Sequence, residues 1–188
     1  MRLAFCLGSM LLFSCLRAEP VDEFWAGLQA LCGQAFEGRL VEAPAGERDF
    51  ADQRLLMHVR ECSDDRIRIP FIVGEDRSRT WILKRHGDRL QLEHDHRHAD
   101  GSPDAVTLYG GTSTNAGRAG EQYFPADEAT RRMIEAAFSN VWTIQVDAGR
   151  TLTYGLRRLG TERVFRIDFD LAMPVDPPPA PWGWEDES

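Results

Sequence analysis

The sequence predicts a mostly β protein, an antiparallel up-and-down meander forming a barrel or sandwich. A short helix precedes the first strand and one helix is inserted late in the chain. Three observations carry this expectation. Short segments in which apolar and polar residues alternate recur along most of the chain, turn residues separate them, and helical periodicity is confined to two places, which leaves no βαβ rhythm.

Residues 1–18 read as a cleavable secretory leader: one charge at Arg2, then an apolar stretch over 3–13 that is too short for a bilayer, where ~20 apolar residues are needed. Ala18 offers the small residue required beside the cut. The alternative is Leu12-Phe13-Ser14-Cys15, which resembles the lipobox of bacterial lipoproteins and would make Cys15 a lipidated first residue. The expected location is periplasmic or secreted, with anchoring at Cys15 as the alternative. No later stretch is apolar enough to be a transmembrane segment.

The expected product is a single antiparallel β domain over 19–173 followed by a Pro-rich acidic tail over 174–188. Cleavage removes Arg2 and Arg17, so 20 basic residues face 30 acidic ones, a formal charge of −10. That charge repels phosphate backbones and argues against a nucleic-acid partner.

The first helix is read at 21–33, where Phe24, Leu28, Leu31 and Cys32 fall at helical spacing and Gly33 stops the run. Strands follow at 36–42, 54–61, 66–73, 79–85 and 89–97, separated by Ser63-Asp64-Asp65, Gly74-Glu75-Asp76 and the hairpin signal His86-Gly87-Asp88. Further strands are read at 105–110, 142–146, 151–156 and 164–171. The glycine-rich stretch over 110–117 reads as a flexible connection. Asp127 caps the second helix, whose apolar stripe is Met133, Ile134, Ala137 and Phe138. Trp25, Trp81 and Trp142 are assigned to the core. The tail, with Pro177-Pro178-Pro179, is expected to be extended and mobile, presenting Trp182 and Trp184 to an envelope protein partner.

Cys6 and Cys15 lie in the leader, which leaves Cys32 and Cys62. Two thiols in an oxidising compartment are expected to pair and to staple the first helix to the sheet; the alternative is a pair of redox or metal-binding thiols, against which neither cysteine sits in a Cys-x-x-Cys.

The segment Gly33-Gln34-Ala35-Phe36-Glu37-Gly38, entered from a helix, resembles the opening of calycin barrels, the lipocalin and fatty-acid-binding group. The resemblance implies a small apolar ligand inside the barrel, with Phe36 standing where that group has tryptophan. Through Arg60-Glu61-Cys62, His94-Asp95-His96-Arg97-His98 and Asp100-Gly101-Ser102-Pro103-Asp104, the chain is similar to uncharacterised secreted proteins of Gram-negative bacteria, which implies a compartment and no activity.

The densest chemical signal is the run from Leu90 to His98. Strand alternation puts Leu90, Leu92, His94, His96 and His98 on one face, so the histidines continue a row begun by two core leucines. Neutral imidazoles suit zinc or copper, and His94, His96, His58 and His98 are the candidate metal ligands. The competing reading is a polar strand end whose Glu, Asp and Arg neighbours form a solvated network of weak ion pairs. Asp95, Asp100 and Asp104 do not have the spacing of a calcium loop. Arg60, Arg66 and Arg68 either reach an anion in a barrel lumen or line the wet face of a strand, and the second is preferred. No nucleophile elbow and no phosphate-binding glycine loop occurs, so no catalytic residue is nominated. The reading favoured is an exported barrel that binds a small ligand or a transition metal. A structural or interaction protein of the cell envelope and a metal-dependent hydrolase are the alternatives.

Overall fold

The computed structural model describes residues 18–184. Residues 1–17, which hold all of the expected leader but Ala18 and include Cys6 and Cys15, lie outside them, as do the last four residues. The chain is mostly β, as the alternation predicts, and its strands are antiparallel. They are β1 (Ala35–Glu42), β2 (Leu55–His58), β3 (Glu61–Cys62), β4 (Arg66–Val73), β5 (Asp76–His86), β6 (Arg89–His96), β7 (Tyr109–Thr112), β8 (Glu121–Pro125), β9 (Asn140–Asp147), β10 (Thr151–Arg158) and β11 (Val164–Val175). The helices are α1 (Pro20–Gln29) and α2 (Glu128–Met133), the latter followed by a single 3-10 turn at Glu135–Ala137.

The sheet runs β7-β6-β5-β4-β2-β1-β11-β10-β9-β8, with the short β3 also paired to β4, so sequence neighbours pair along most of the chain, which returns to pair its last strand with its first and leaves β7 and β8 at the two ends. This is an up-and-down meander curled into a nearly closed barrel, which decides between the two architectures that the pattern of strands leaves open. The remaining seam, between β7 and β8, is bridged at Gly111 and Ala126 and by the Asp127 N–H donating to the Gly110 carbonyl at 3.1 Å. Closing the sheet removes the edges that would otherwise template aggregation.

Gly110 and Gly111 make the seam possible. A Cβ on Gly110 would lie 1.8 Å from the Leu92 carbonyl oxygen, and one on Gly111 would lie 1.8 Å from that of Pro125. The first two glycines of the expected flexible connection are therefore strand residues, suited to close backbone approach. Below them Thr130, fully buried, accepts from the Gly110 N–H and donates to its carbonyl, both at 2.7 Å, which ties α2 to the seam.

Helix α1 plugs one end of the barrel. Its Val21, Phe24, Trp25 and Leu28 are buried in the same core as Phe36, Ile67, Leu83 and Leu90, each contributing about 1.5–3 kcal/mol by removal from water. Arg85 pairs with Asp22 across this end, and the Cys32–Cys62 disulfide, with Cα atoms 6.2 Å apart, fastens the helix exit to β3. Closing a loop of this length restricts the unfolded chain by about 3 to 4 kcal/mol. Among the described residues no helix is long and apolar enough to cross a membrane.

Expectations about individual elements are corrected, among them the strand expected at 105–110, which is found at Tyr109–Thr112 as β7. The strand expected at 54–61 is broken into β2 and β3, and β8 lies where none is expected. Met133 and Phe138, assigned to the apolar stripe of a longer helix, are 41% and 61% exposed, because α2 ends at Met133 and the stripe is broken there, with only Ile134 and Ala137 of the four reaching the cavity wall.

The tail also departs from its expected extended, mobile form. Strand β11 continues through Val175, and the segment beyond it lies across the outer face of β4, β5 and β6. Arg77 donates to the Ala180 carbonyl at 2.7 Å, and the Trp184 ring is held between the guanidinium groups of Arg68 and Arg97, 3.8 and 4.2 Å from its centroid. The Trp184 indole N–H donates to Asp95 at 2.9 Å. Cation–π contact on both faces and a charge-assisted hydrogen bond explain why this tryptophan is taken by its own barrel.

Candidate functional site

Every strand that lines the barrel carries one inward row, and these rows change character along the barrel axis. At the α1 end they are aliphatic, with Leu83, Leu90, Leu92, Ile144 and Leu152. Further along come rings: Phe71 on β4, Trp81 on β5, His94 on β6, Trp142 on β9 and Tyr154 on β10. At the far end the rows finish in Arg79, His96, Asn140 and Arg158. Between the ring layer and that polar rim lies a cavity of about 300 Å³, at the small end of the range for ligand pockets. Ile134 and Ala137, from the segment after α2, form part of its wall.

The rings are ordered as parallel plates. Trp81 stacks on Phe71 with centroids 4.9 Å apart and planes 13° from parallel, and on Tyr154 at 4.3 Å and 12°. His94 stacks on its cross-strand partner Tyr109 at 4.8 Å and 9°. Leu108, just before Tyr109, has φ +59, a left-handed conformation that costs a non-glycine residue about 1–2 kcal/mol. Its N–H donates to the His94 carbonyl at 2.7 Å, which holds the turn that sends Tyr109 inward.

His94 is 4% exposed and both its ring nitrogens are engaged. Nδ1 lies 3.1 Å from the Tyr109 carbonyl oxygen, which can only accept, so the proton sits on Nδ1. Nε2, 2.8 Å from the Tyr154 hydroxyl, then accepts the phenolic proton. Burial pushes His94 down to about 3, while it raises Tyr154 well above the ordinary phenol range and Tyr109 to about 12. The ring layer therefore carries no formal charge at neutral pH. His96, half-buried at the rim, is lowered by burial first and then by Arg79, and its Nε2 is 3.1 Å from the Tyr109 hydroxyl.

Charge gathers at the rim. Arg79 pairs with Asp76. Arg158 donates to the Asn140 side-chain oxygen at 2.9 Å, and among the described residues neither it nor Arg163 has a carboxylate within salt-bridge reach. Burial, then the positive charge of Arg163, lowers Arg158, and Arg163 is close enough to act on Tyr109 as well. The rim is thus a concentration of positive potential on a chain whose formal charge is −8.

The four candidate metal ligands are distributed as follows. His94 and His96 share the inner face, continuing the leucine row as the alternation predicts. His58 lies on β2, separated from β6 by β4 and β5, and since Leu55, Met57 and Val59 are its inward neighbours it faces outside. His98 lies beyond the end of β6, in the turn over 97–102. Among the described residues no group of three His, Cys, Asp or Glu side chains is placed to hold a metal ion, and His94 has no ring nitrogen left to offer one. Asp95 turns to the outer face and is spent on Thr107, Arg97 and Trp184. Arg66 and Arg68 also face outward, with Arg68 paired to Glu61 at 2.9 Å.

The cavity residues missed by sequence reasoning are Tyr109, Tyr154, Arg79, Arg158 and Arg163. One signal was available: the row Leu152, Tyr154, Leu156, Arg158 places an arginine at the end of an inward face. Comparison with known proteins finds no family model, no curated protein and no solved structure that matches the chain.

Proposed function

We propose that this chain is an exported barrel protein that binds a small molecule inside its open end. The observation that supports this most is the cavity of about 300 Å³ between stacked aromatic side chains and a polar rim, at the end opposite the α1 plug. Residues chosen only to fill a core would close that space, since protein interiors pack at the density of organic crystals. The interior offers ring faces and neutral hydrogen-bonding groups, with His94 and Tyr154 satisfying each other, which suits retention of a ligand more than chemistry on it. The leader and the disulfide support a role outside the cytoplasm.

The test is isothermal titration with two neutral or simple amphiphilic probes, naphthalenemethanol and decanoate, on the protein and on Ala137→Trp, which fills the cavity mouth. Binding of either probe by the native chain, reduced at least about tenfold in the filled variant, is the expected result. Far-UV circular dichroism establishes that the variant is folded, and Leu156→Trp fills the same space from β10 if it is not. Absence of binding by the native chain to both probes and to an aromatic acid, naphthoate, or equal binding by a folded filled variant, refutes the proposal.

A further inference from the structure

The cavity has a direction, and the direction specifies a ligand. Resting on the binding role just proposed, we infer that the site takes a planar aromatic acid of one or two fused rings, inserted ring first, with its carboxylate held at the rim by Arg158 and Arg163.

The ring layer dictates the shape. The Phe71, Trp81 and Tyr154 rings lie within 13° of parallel from one to the next. These plates are closed against one another, so a flat ligand packs on the edges and outer faces of the stack in edge or offset contact, each such contact contributing beyond its area. A flexible aliphatic chain gains less there and loses rotational freedom. The volume of about 300 Å³ limits the guest to a small ring system.

Polarity dictates the orientation. The buried polar groups of the floor are already paired, since His94 donates to the Tyr109 carbonyl and accepts from Tyr154. A charged or strongly polar group thrust to that depth would lose its hydration and find no partner. At the rim the situation is reversed. Arg158 and Arg163 are adjacent across the β10–β11 hairpin, where the Arg158 N–H donates to the Arg163 carbonyl at 2.9 Å. The positive charge of Arg163 disfavours that of Arg158, and among the described residues no carboxylate neutralises either one. A ligand carboxylate between them would supply the missing counter-charge, and the planar guanidinium fork fits it in bidentate fashion. Asn140, which holds Arg158 at 2.9 Å, is the positioning residue for that contact.

The experiment adds naphthoate to the two probes above and compares the chain with the double variant Arg158→Gln, Arg163→Gln. Naphthoate is expected to bind at least about tenfold tighter than naphthalenemethanol and decanoate, with quenching of tryptophan fluorescence, because Trp81 and Trp142 line the cavity. In the double variant the ratio of naphthoate to naphthalenemethanol affinity is expected to fall to about one. In the native chain, raising the ionic strength erodes binding of the acid and leaves the alcohol unaffected, a readout independent of whether the variant folds. Decanoate binding as tightly as naphthoate refutes the planar ligand. Naphthoate binding no tighter than the alcohol, or keeping its advantage without the two arginines, refutes the anion seat. In each of these cases the barrel still binds a small molecule, whereas silence from all three probes removes the binding role as well.

Discussion

Acid is the perturbation that most directly tests the buried His94–Tyr154 pair. In the unfolded chain His94 takes up a proton near its ordinary value of 6.5, whereas in the folded chain burial delays protonation to about 3. The unfolded state therefore binds more protons between these limits, and stability falls as pH drops through that window. Above 6.5 the group is neutral in both states and has no effect; below about 3 it is charged in both and the loss is complete. At a pH two units below 6.5 the loss is about 3 kcal/mol, because each pH unit inside the window contributes somewhat more than about 1 kcal/mol. The comparison protein is His94→Phe, Tyr154→Phe, which replaces both partners with rings of similar shape and orphans neither side chain. Urea unfolding across the mildly acidic range should show the native chain losing about 2–3 kcal/mol more than the double variant. His58 and His96 are also lowered, both chiefly by burial, but they are present in both proteins and cancel. Parallel stability curves would mean that His94 titrates as a solvated imidazole, and the enclosed, uncharged ring layer would be wrong.

Two further outcomes follow from the seam and the tail. Gly111→Ala should unfold or strongly destabilise the protein, by more than about 3 kcal/mol, because the new Cβ falls 1.8 Å from the Pro125 carbonyl oxygen. Gly155→Ala, whose nearest contact is an ordinary 3.6 Å, should shift the melting temperature only slightly, so equal melting of the two variants would contradict the close approach at the seam. Trp184→Ala removes two cation–π contacts and the donor to Asp95 and should cost about 2–3 kcal/mol in urea unfolding. Trp184→Phe keeps the stacking and should recover about half of that; unchanged stability in Trp184→Ala would unseat the tail from the barrel.

The interior row of β6 is legible because it needs only local information. Leu90, Leu92, His94 and His96 alternate, and alternation survives whatever the strand pairs with. The Cys32–Cys62 pairing is equally legible, since setting Cys6 and Cys15 aside in the expected leader leaves one choice. His58 is no companion of His94 because its own neighbours, Met57 and Val59, put it on the opposite face, and sharing a site requires knowing which strands are adjacent. The tail escapes sequence reasoning for a related reason. Its composition describes an isolated polyproline segment, while its position depends on Arg68, Arg97 and Asp95, which come together only when β4, β5 and β6 pair.

The class of fold, the disulfide and the inward direction of the histidine row are written into short stretches of chain, because turn chemistry, strand period and cysteine number are local properties. It takes the assembled sheet to decide that the meander curls into a barrel, that Gly110 and Gly111 close it, and that the rings and arginines of β4, β5, β9, β10 and β11 face one cavity. Those outcomes depend on contacts between residues far apart in the chain, such as His94 and Tyr154. The partner of a buried polar group is set by the register of whole strands, which no local pattern encodes.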